Sequence, residues 1–172
     1  MDNLHDLFEH ELKDIYDAEN KLVAALQTLE SEAGDEKLRE AFRAHLQETR
    51  GHVQRLENVF DIWGREPSRG EGCKGIDGLL EEKRSLDRKG DLGEPVRDIF
   101  NAGAAVKTER YEISAYEGLI GLARSLQLED VVQLLQKNLD EEVAALEKVK
   151  GILDTRLMGE VQTRQQPRRA TR

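Results

Sequence analysis

The chain has very little cysteine and no long apolar run, and each absence excludes a class of protein. With a single cysteine, Cys73, among its 172 residues, the chain cannot form an intrachain disulfide framework. No apolar run approaches the roughly 18 residues that span a membrane. The N-terminus carries no basic segment followed by an apolar one, so we expect no signal peptide. Together these absences favour a cytoplasmic protein without a membrane span.

Aromatic residues and prolines are also scarce, and positive charge is not in excess. Aromatics make up 5% of the chain and prolines number three, whereas charged residues of both signs make up 35%. This composition is typical of helical bundles, and no β-rich run competes with that interpretation. Because the net charge is -9, nucleic acid is not an expected partner for the body of the protein.

The length suits one domain with a real core, followed by a short tail. We expect residues 1–158 to form the domain. Residues 159–172 are polar and rich in arginine, so this tail is predicted to be disordered. A basic tail can contact nucleic acid weakly and without sequence preference, but a solvated end is the interpretation we favour.

Apolar residues recur at helical spacing along four long segments, which predicts an all-α fold. Asp35 is a predicted cap before the second segment, and Gly64 is a predicted stop after it. The connection 65–94 is too long for a turn and suits the crossover of a four-helix bundle. Cys73 lies in this crossover as a buried inert thiol or, alternatively, as a redox-active or intermolecular one. The predicted helices cover about 4–32, 36–63, 95–125 and 129–157, with a short extra helix at 76–88.

Four glutamates interrupt the apolar stripes at matched positions. Glu19 and Glu48 are 29 residues apart, Glu112 and Glu142 are 30 apart, and a helix break lies midway within each pair. Each half is therefore predicted to be an antiparallel hairpin with one inward glutamate per helix at the same depth. Packing of the two hairpins would bring four carboxylates to one level of the bundle. The neighbouring Glu141 can face either side of its helix.

Charge makes this arrangement a predicted metal site. Four bare carboxylates in a bundle core repel one another, and each costs several kcal/mol to desolvate. Two divalent cations would neutralise them, as in the di-iron and di-manganese sites built between bundle helices. His45 is the nitrogen ligand expected first, and His52 and Glu109 are second choices. These ligands suit iron or manganese, with zinc or magnesium as alternatives. The alternative for any one glutamate is a helix flank that reaches solvent.

Five segments of the chain resemble one known family. They are LFEHELKDIYDAE (Leu7 to Glu19), AHLQET (Ala44 to Thr49), GLLEE (Gly78 to Glu82), VKTERYEISAY (Val106 to Tyr116) and LDEE (Leu139 to Glu142). As a set they are similar to the YciE/YciF-type bacterial ferritin-like stress proteins, over nearly the whole chain except the tail. The resemblance implies a ferritin-like up-down-down-up four-helix bundle with a long crossover, a homodimer, and an association with bacterial stress.

The chain departs from better-known di-iron proteins in its nitrogen ligands. Those proteins carry Glu-x-x-His on two helices, whereas the second helix here has His45-x-x-Glu48 in reversed order. The fourth helix has no histidine. The positions three residues before and after Glu142, where a histidine ligand would stand, hold Leu139 and Ala145. We therefore expect a site that is rich in oxygen ligands, weak, or partly empty.

Three functions are compatible with these features. The first is a di-metal protein in which the metals change oxidation state and react with peroxide or dioxygen. The second is a non-enzymatic dimeric structural or binding bundle whose polar layer is vestigial or non-redox. The third, iron storage, is weaker, because nothing in the sequence predicts a large shell. Leu119 and Leu122 are candidates for the dimer interface, or for the core beneath the crossover.

Overall fold

The computed structural model describes residues 3–90 and 92–159, and five α-helices account for most of them. No strand occurs in this described part, so the predicted all-α fold is confirmed. The four long helices begin within about one residue of their predicted starts. The helices are α1 (Leu4–Glu32), α2 (Glu36–Trp63), α3 (Lys74–Asp87), α4 (Glu94–Ser125) and α5 (Glu129–Ile152), and a π-helical turn, Leu153–Leu157, follows α5.

Side chains and one glycine at the helix ends explain where the helices begin and stop. The Asn3 and Asp35 side chains each accept hydrogen bonds from backbone N–H groups in the first turns of α1 and α2. Gly64 ends α2 with a φ of 72°, a left-handed conformation that glycine adopts without strain. Cys73 caps α3 by accepting from the Ile76 amide, so α3 begins earlier than predicted.

The long helices form the predicted up-down-down-up bundle. The end of α1 and the start of α2 share one apolar cluster with the start of α4 and the end of α5. Each long helix contributes to that cluster, through residues such as Leu29, Phe42, Ala102 and Val149. Therefore α1 runs antiparallel to α2 and α4, and α5 runs parallel to α1. With α3 inside the α2–α4 crossover, this is the ferritin-like arrangement.

A second apolar cluster fills the other half of the bundle. It includes Phe8, Phe60 and Leu119, and each such side chain contributes about 1.5–3 kcal/mol by leaving water. Leu119 is buried and Leu122 packs against the cluster, so the core alternative for this pair is confirmed. Between the two clusters lies a polar layer of buried side chains: Glu19, His45, Thr49, His52, Glu109, Glu112, Asn138 and Glu142.

The crossover helix α3 is attached to α1 and α4. Leu79 and Leu80 pack against the core, and Lys83 pairs with Glu32 of α1 at 2.9 Å. On α4, the Lys107 ammonium contacts a glutamate of α3 at 2.8 Å. These apolar and charged contacts hold α3 over the groove between α1 and α4.

Cys73 is buried at the start of α3, so the predicted burial of this thiol is confirmed. Its backbone amide donates to Asp17 Oδ2 at 2.8 Å, and its Sγ lies 3.0 Å from the Tyr111 hydroxyl. Burial raises the pKa of the Cys73 thiol, which keeps the sulfur protonated. Gly75 allows this close packing, since a Cβ there would lie 2.5 Å from the Tyr111 ring.

Asp98→Ala is expected to lower the free energy of unfolding by about 2 kcal/mol. The buried Asp98 side chain accepts from the Gly34 amide at 2.9 Å and from the Asp35 amide at 2.7 Å. Truncation leaves both amides of the α1–α2 turn without this acceptor, and each loss costs about 1–3 kcal/mol when buried. Urea denaturation measures the change. Asp140→Ala, on an exposed face of α5, is the control, and equal midpoints for the two variants would contradict the prediction.

Two predictions from the sequence, the missing membrane span and the tail, can be compared with the structure. Among the helices of residues 3–90 and 92–159, none combines the length and the apolar character needed to cross a membrane. The predicted tail, 159–172, lies outside the described residues except for Gly159.

Candidate metal centre

Two histidines of α2 face one buried glutamate of α5. His45 and His52 are separated by about two helical turns and therefore share the inward face of α2. Nε2 of His45 lies 3.4 Å from Oε2 of Glu142, and Nδ1 of His52 lies 2.8 Å from Oε1 of the same residue. Each oxygen of Glu142 thus faces a different imidazole, which puts this carboxylate at the centre of the polar layer.

Each histidine also contacts a second buried glutamate. His52 Nδ1 lies 3.2 Å from Glu19 Oε1, and His45 Nε2 lies 3.2 Å from Glu109 Oε1. The ligand atoms of Glu19, His52 and Glu142 lie within 4.8 Å of one another, and so do those of His45, Glu109 and Glu142. The layer therefore contains two adjacent three-residue groups that share Glu142 and can each hold a metal ion.

The outer nitrogen of each histidine is held by a carboxylate. Glu48 Oε2 lies 3.2 Å from His45 Nδ1, and Glu141 Oε2 lies 3.0 Å from His52 Nε2. Arg55 donates to Glu141 and so fixes that carboxylate in turn. A carboxylate on the outer nitrogen selects the tautomer whose inner nitrogen has a free lone pair, as in carboxylate–histidine–metal arrangements.

Several buried carboxylate oxygens of the layer have no hydrogen-bond partner within the described part of the chain. They are Glu19 Oε2, Glu109 Oε2 and Glu112 Oε1. Glu112 belongs to neither three-residue group, yet it is buried beside them on α4, one turn from Glu109. A buried unpaired acceptor costs about 1–3 kcal/mol, and more when it is charged. Such oxygens require either protons or cations.

Burial changes the protonation of the layer when no cation is bound. Burial raises the pKa of Glu142 to about 7, although contact with His52 opposes this rise. Burial, followed by the negative charge of Glu142, raises the pKa of Glu112 well above its usual range. Burial alone would lower the pKa of His52, but the charge of Glu19 and contact with Glu142 outweigh it and raise that pKa to about 10. The layer therefore retains protons that bound cations would displace.

A hydrogen-bonded chain supports the layer from the side of α4 and α5. The Tyr116 hydroxyl donates to Glu19, and the Asn138 amide donates to the Tyr116 oxygen at 2.8 Å. The same amide donates to the backbone oxygen of His52 at 3.4 Å. Burial raises the pKa of the Tyr116 phenol well above its usual range, so the phenol stays a donor to Glu19.

This geometry occurs in a chain that matches a known sequence family. The profile of the family described as "Domain of unknown function (DUF892)" matches residues 3–163. The chain belongs to this family. The resemblance to YciE/YciF-type proteins that the sequence predicted is thereby confirmed, together with the relatives described next.

Relatives of this DUF892 chain share its length and fold. Protein YciF of Escherichia coli (strain K12) is 37% identical over 144 residues, which cover 84% of this chain and 86% of that protein. The crystal structure of the E. coli stress protein YciF matches with a TM-score of 0.84 and 34% identity over 94% of this chain and 99% of that one. YcfI from Rhodopseudomonas palustris matches with a TM-score of 0.83 and 35% identity over 87% and 94% of the two chains.

Within this DUF892 fold, most of the predicted ligands lie together. The buried ones are Glu19, His45, His52, Glu109, Glu112 and Glu142. Glu48 is the exception, and its expected inward position is corrected by the structure, because its side chain is 43% exposed. The inward line of α2 runs through His45, Thr49 and His52, which leaves Glu48 on the flank. Glu109 of α4 supplies the fourth buried carboxylate instead.

Arg55 is a part of the centre that the sequence did not reveal. It lies one turn beyond His52 on α2, at a spacing that allows both side chains to reach Glu141. Glu141 itself, whose direction the sequence left open, turns toward α2 rather than into solvent. The metal-binding role of the predicted ligands remains a prediction.

Proposed function

We propose that the chain is a di-metal carboxylate protein that binds a pair of iron or manganese ions in its polar layer and reacts with a small oxygen oxidant under stress. The single observation that supports this most is the pair of three-residue groups built around the shared Glu142. Glu19 and His52 would hold one ion, Glu109 and His45 the other, and Glu142 would contact both.

Charge balance supports this assignment. Glu19, Glu109, Glu112 and Glu142 are four buried carboxylates, and two divalent cations carry the matching positive charge. The oxygens without a hydrogen-bond partner would become ligands, which relieves their desolvation cost. Carboxylate oxygens with one imidazole per ion suit iron or manganese, and zinc or magnesium can occupy the same donors.

The remaining polar residues would position the ligands. Glu48 and Glu141 would orient the two imidazoles through their outer nitrogens. Tyr116 would hold the Glu19 carboxylate through its hydroxyl, and the two apolar clusters exclude bulk water above and below. The bound metal pair would supply two electrons, which together with two protons convert dioxygen to hydrogen peroxide, or hydrogen peroxide to two waters.

The stress role rests on similarity. YciF of E. coli is described as a stress protein, and this chain shares its fold over nearly the full length. Removal of an oxygen oxidant is one reaction that would serve a cell under stress. The homodimer that the family resemblance implies stays a prediction.

A second candidate function is a structural bundle without bound metal. The observation that favours it is the raised pKa of both histidines, which lets imidazolium–carboxylate pairs partly neutralise the layer. In that case the buried polar contacts would favour one arrangement of the helices over the alternatives.

Elemental mass spectrometry of the native protein distinguishes the two candidates. We expect about two equivalents of iron or manganese per chain, as in other two-metal bundles. After anaerobic loading with Fe(II), we expect the protein to consume dioxygen or peroxide with oxidation of the bound iron. A chain that carries no metal as isolated and takes up none on loading would favour the structural bundle instead.

A further inference from the structure

A narrow apolar cavity lies between α1, α3 and α4 and reaches the metal centre. Its volume is about 30 Å³, and it is partly open to the outside. His45, Glu109 and Glu112 line its inner end. We call this cavity the α3 passage. Aliphatic side chains line most of its length, including Leu22, Leu26, Leu79, Leu80, Ala104 and Ala105.

Small side chains create the space beneath α3. Ala25 on α1 and Ala104 and Ala105 on α4 leave the groove between these helices unfilled. Leu79 and Leu80 of α3 are partly buried and line the same cavity. At about 30 Å³ the cavity has room for one solute of about the size of a water molecule, and three buried ligand residues form part of its lining.

Apart from the ligand residues at its inner end, the polar residues that border the α3 passage, Thr108 and Lys83, already have partners. Thr108 Oγ1 donates to the Ala104 carbonyl oxygen at 3.1 Å, and Lys83 Nζ pairs with Glu32 at 2.9 Å. A solute on its way in therefore contacts aliphatic surface until it reaches His45. A hydrogen-bonding solute would lose its water partners there and gain none, whereas an apolar gas loses nothing comparable.

We propose that the α3 passage admits dioxygen to the metal centre, and that dioxygen rather than hydrogen peroxide is the oxidant the centre takes. This inference rests on the proposed function, because it names the substrate of that same site. Dioxygen is small and apolar, and dry apolar cavities bind such gases. Hydrogen peroxide carries two hydroxyl groups that the aliphatic walls cannot satisfy.

Xenon tests the α3 passage without any metal, because it is an apolar gas atom that enters such cavities. In methyl spectra of the metal-free full chain under xenon pressure, we expect saturable shifts at Leu79, Leu80 and Ala105. Ala104→Leu fills the passage and should abolish these shifts. Ala144→Leu makes the same change on an exposed face of α5 and should leave them intact. Shifts that persist in Ala104→Leu, or that are missing in the unchanged chain, would overturn the passage.

Leu80→Ala tests the same passage in the opposite direction and covers the case in which Ala104→Leu fails to fold. Removing the Leu80 side chain enlarges the space beneath α3. Xenon binding is expected to strengthen in this variant. Unchanged or weaker binding would count against the passage.

Stopped-flow oxidation of bound Fe(II) tests the choice of oxidant. We expect dioxygen to oxidise the bound Fe(II) of the unchanged chain faster than hydrogen peroxide does, and the reverse order would overturn the inference. With dioxygen, Ala104→Leu is expected to react about tenfold more slowly than Ala144→Leu, and with hydrogen peroxide the two should react at the same slow rate. Equal slowing with both oxidants, or with neither, would overturn the inference while leaving the di-metal function standing. Failure of the unchanged chain to bind Fe(II) would instead overturn both the proposed function and the role of dioxygen.

Discussion

Glu142→Gln is expected to reduce metal binding from about two ions per chain to none. Glu142 is the member common to both three-residue groups, so its loss removes one carboxylate ligand from each ion. A glutamine has nearly the same shape but brings no negative charge to the shared position. The polar layer then has three buried carboxylates to balance, which weakens its attraction for a pair of divalent cations.

Elemental mass spectrometry and calorimetric titration with Mn(II) or anaerobic Fe(II) measure this loss. Glu147→Gln is the matched control, because Glu147 stands on the same helix with its side chain exposed. We expect the control to bind as the unchanged chain does. Full metal content in Glu142→Gln would show that the shared carboxylate is not a ligand.

Graded effects are expected at the two carboxylates that hold the outer nitrogens of the histidines. Glu48→Gln and Glu141→Gln should keep two ions per chain but lower the affinity about 10–100-fold, the usual effect of losing such a partner. This contrast follows from position, because Glu48 and Glu141 contact histidines without entering either three-residue group.

The metal-free chain is expected to lose at least about 3 kcal/mol of unfolding free energy as the pH rises from about 5 to about 9. The folded pKa of Glu142 is about 7, against 4.5 for the unconstrained group, so the folded state holds a proton that the unfolded state releases first. Rising pH therefore favours unfolding across this interval. His52 acts in the same direction, because its folded pKa is about 10 against 6.5, and its stabilising charge is lost as the pH rises toward 10.

Glu142 alone accounts for this minimum, since each pKa unit corresponds to about 1.4 kcal/mol, and His52 adds to it. Chemical denaturation in the presence of a chelator, at about pH 5 and about pH 9, measures the change. Glu142→Gln removes one of the titrating groups of the polar layer and should make the dependence on pH shallower.

The metal-loaded chain should behave in the opposite way. Cations displace protons from the carboxylates and histidines, so metal affinity, and the stability that it confers, increase with pH over the same interval. A metal-free chain whose stability is flat or rises with pH would contradict the prediction for the polar layer.

The helices and their order could be predicted from the sequence because the signals are local. Apolar residues recur at helical spacing over long segments, and the Asp35 cap and the Gly64 stop act within one turn of the chain. The hairpin spacing of the glutamates and the long crossover then leave few bundle topologies. The residue types of the polar layer could also be predicted from the sequence, since His45 and Glu142 replace apolar residues on otherwise apolar stripes.

The tertiary structure alone decided which of several neighbouring carboxylates are buried. Residues three or four positions apart on a helix point in similar directions, so the stripe cannot separate Glu48 from His52, or Glu109 from Glu112. The contacts of α2 with α1 and α5 place both histidines inward and turn Glu48 outward, while α4 buries both of its glutamates. Arg55 and Asp98 act across helices, on Glu141 and on the α1–α2 turn, and such partners have no local signal. The α3 passage likewise arises only where alanines of two helices meet beneath a third. The sequence alone determines which residues share one face of a helix. Which of those residues are buried depends on the helices that pack against that face.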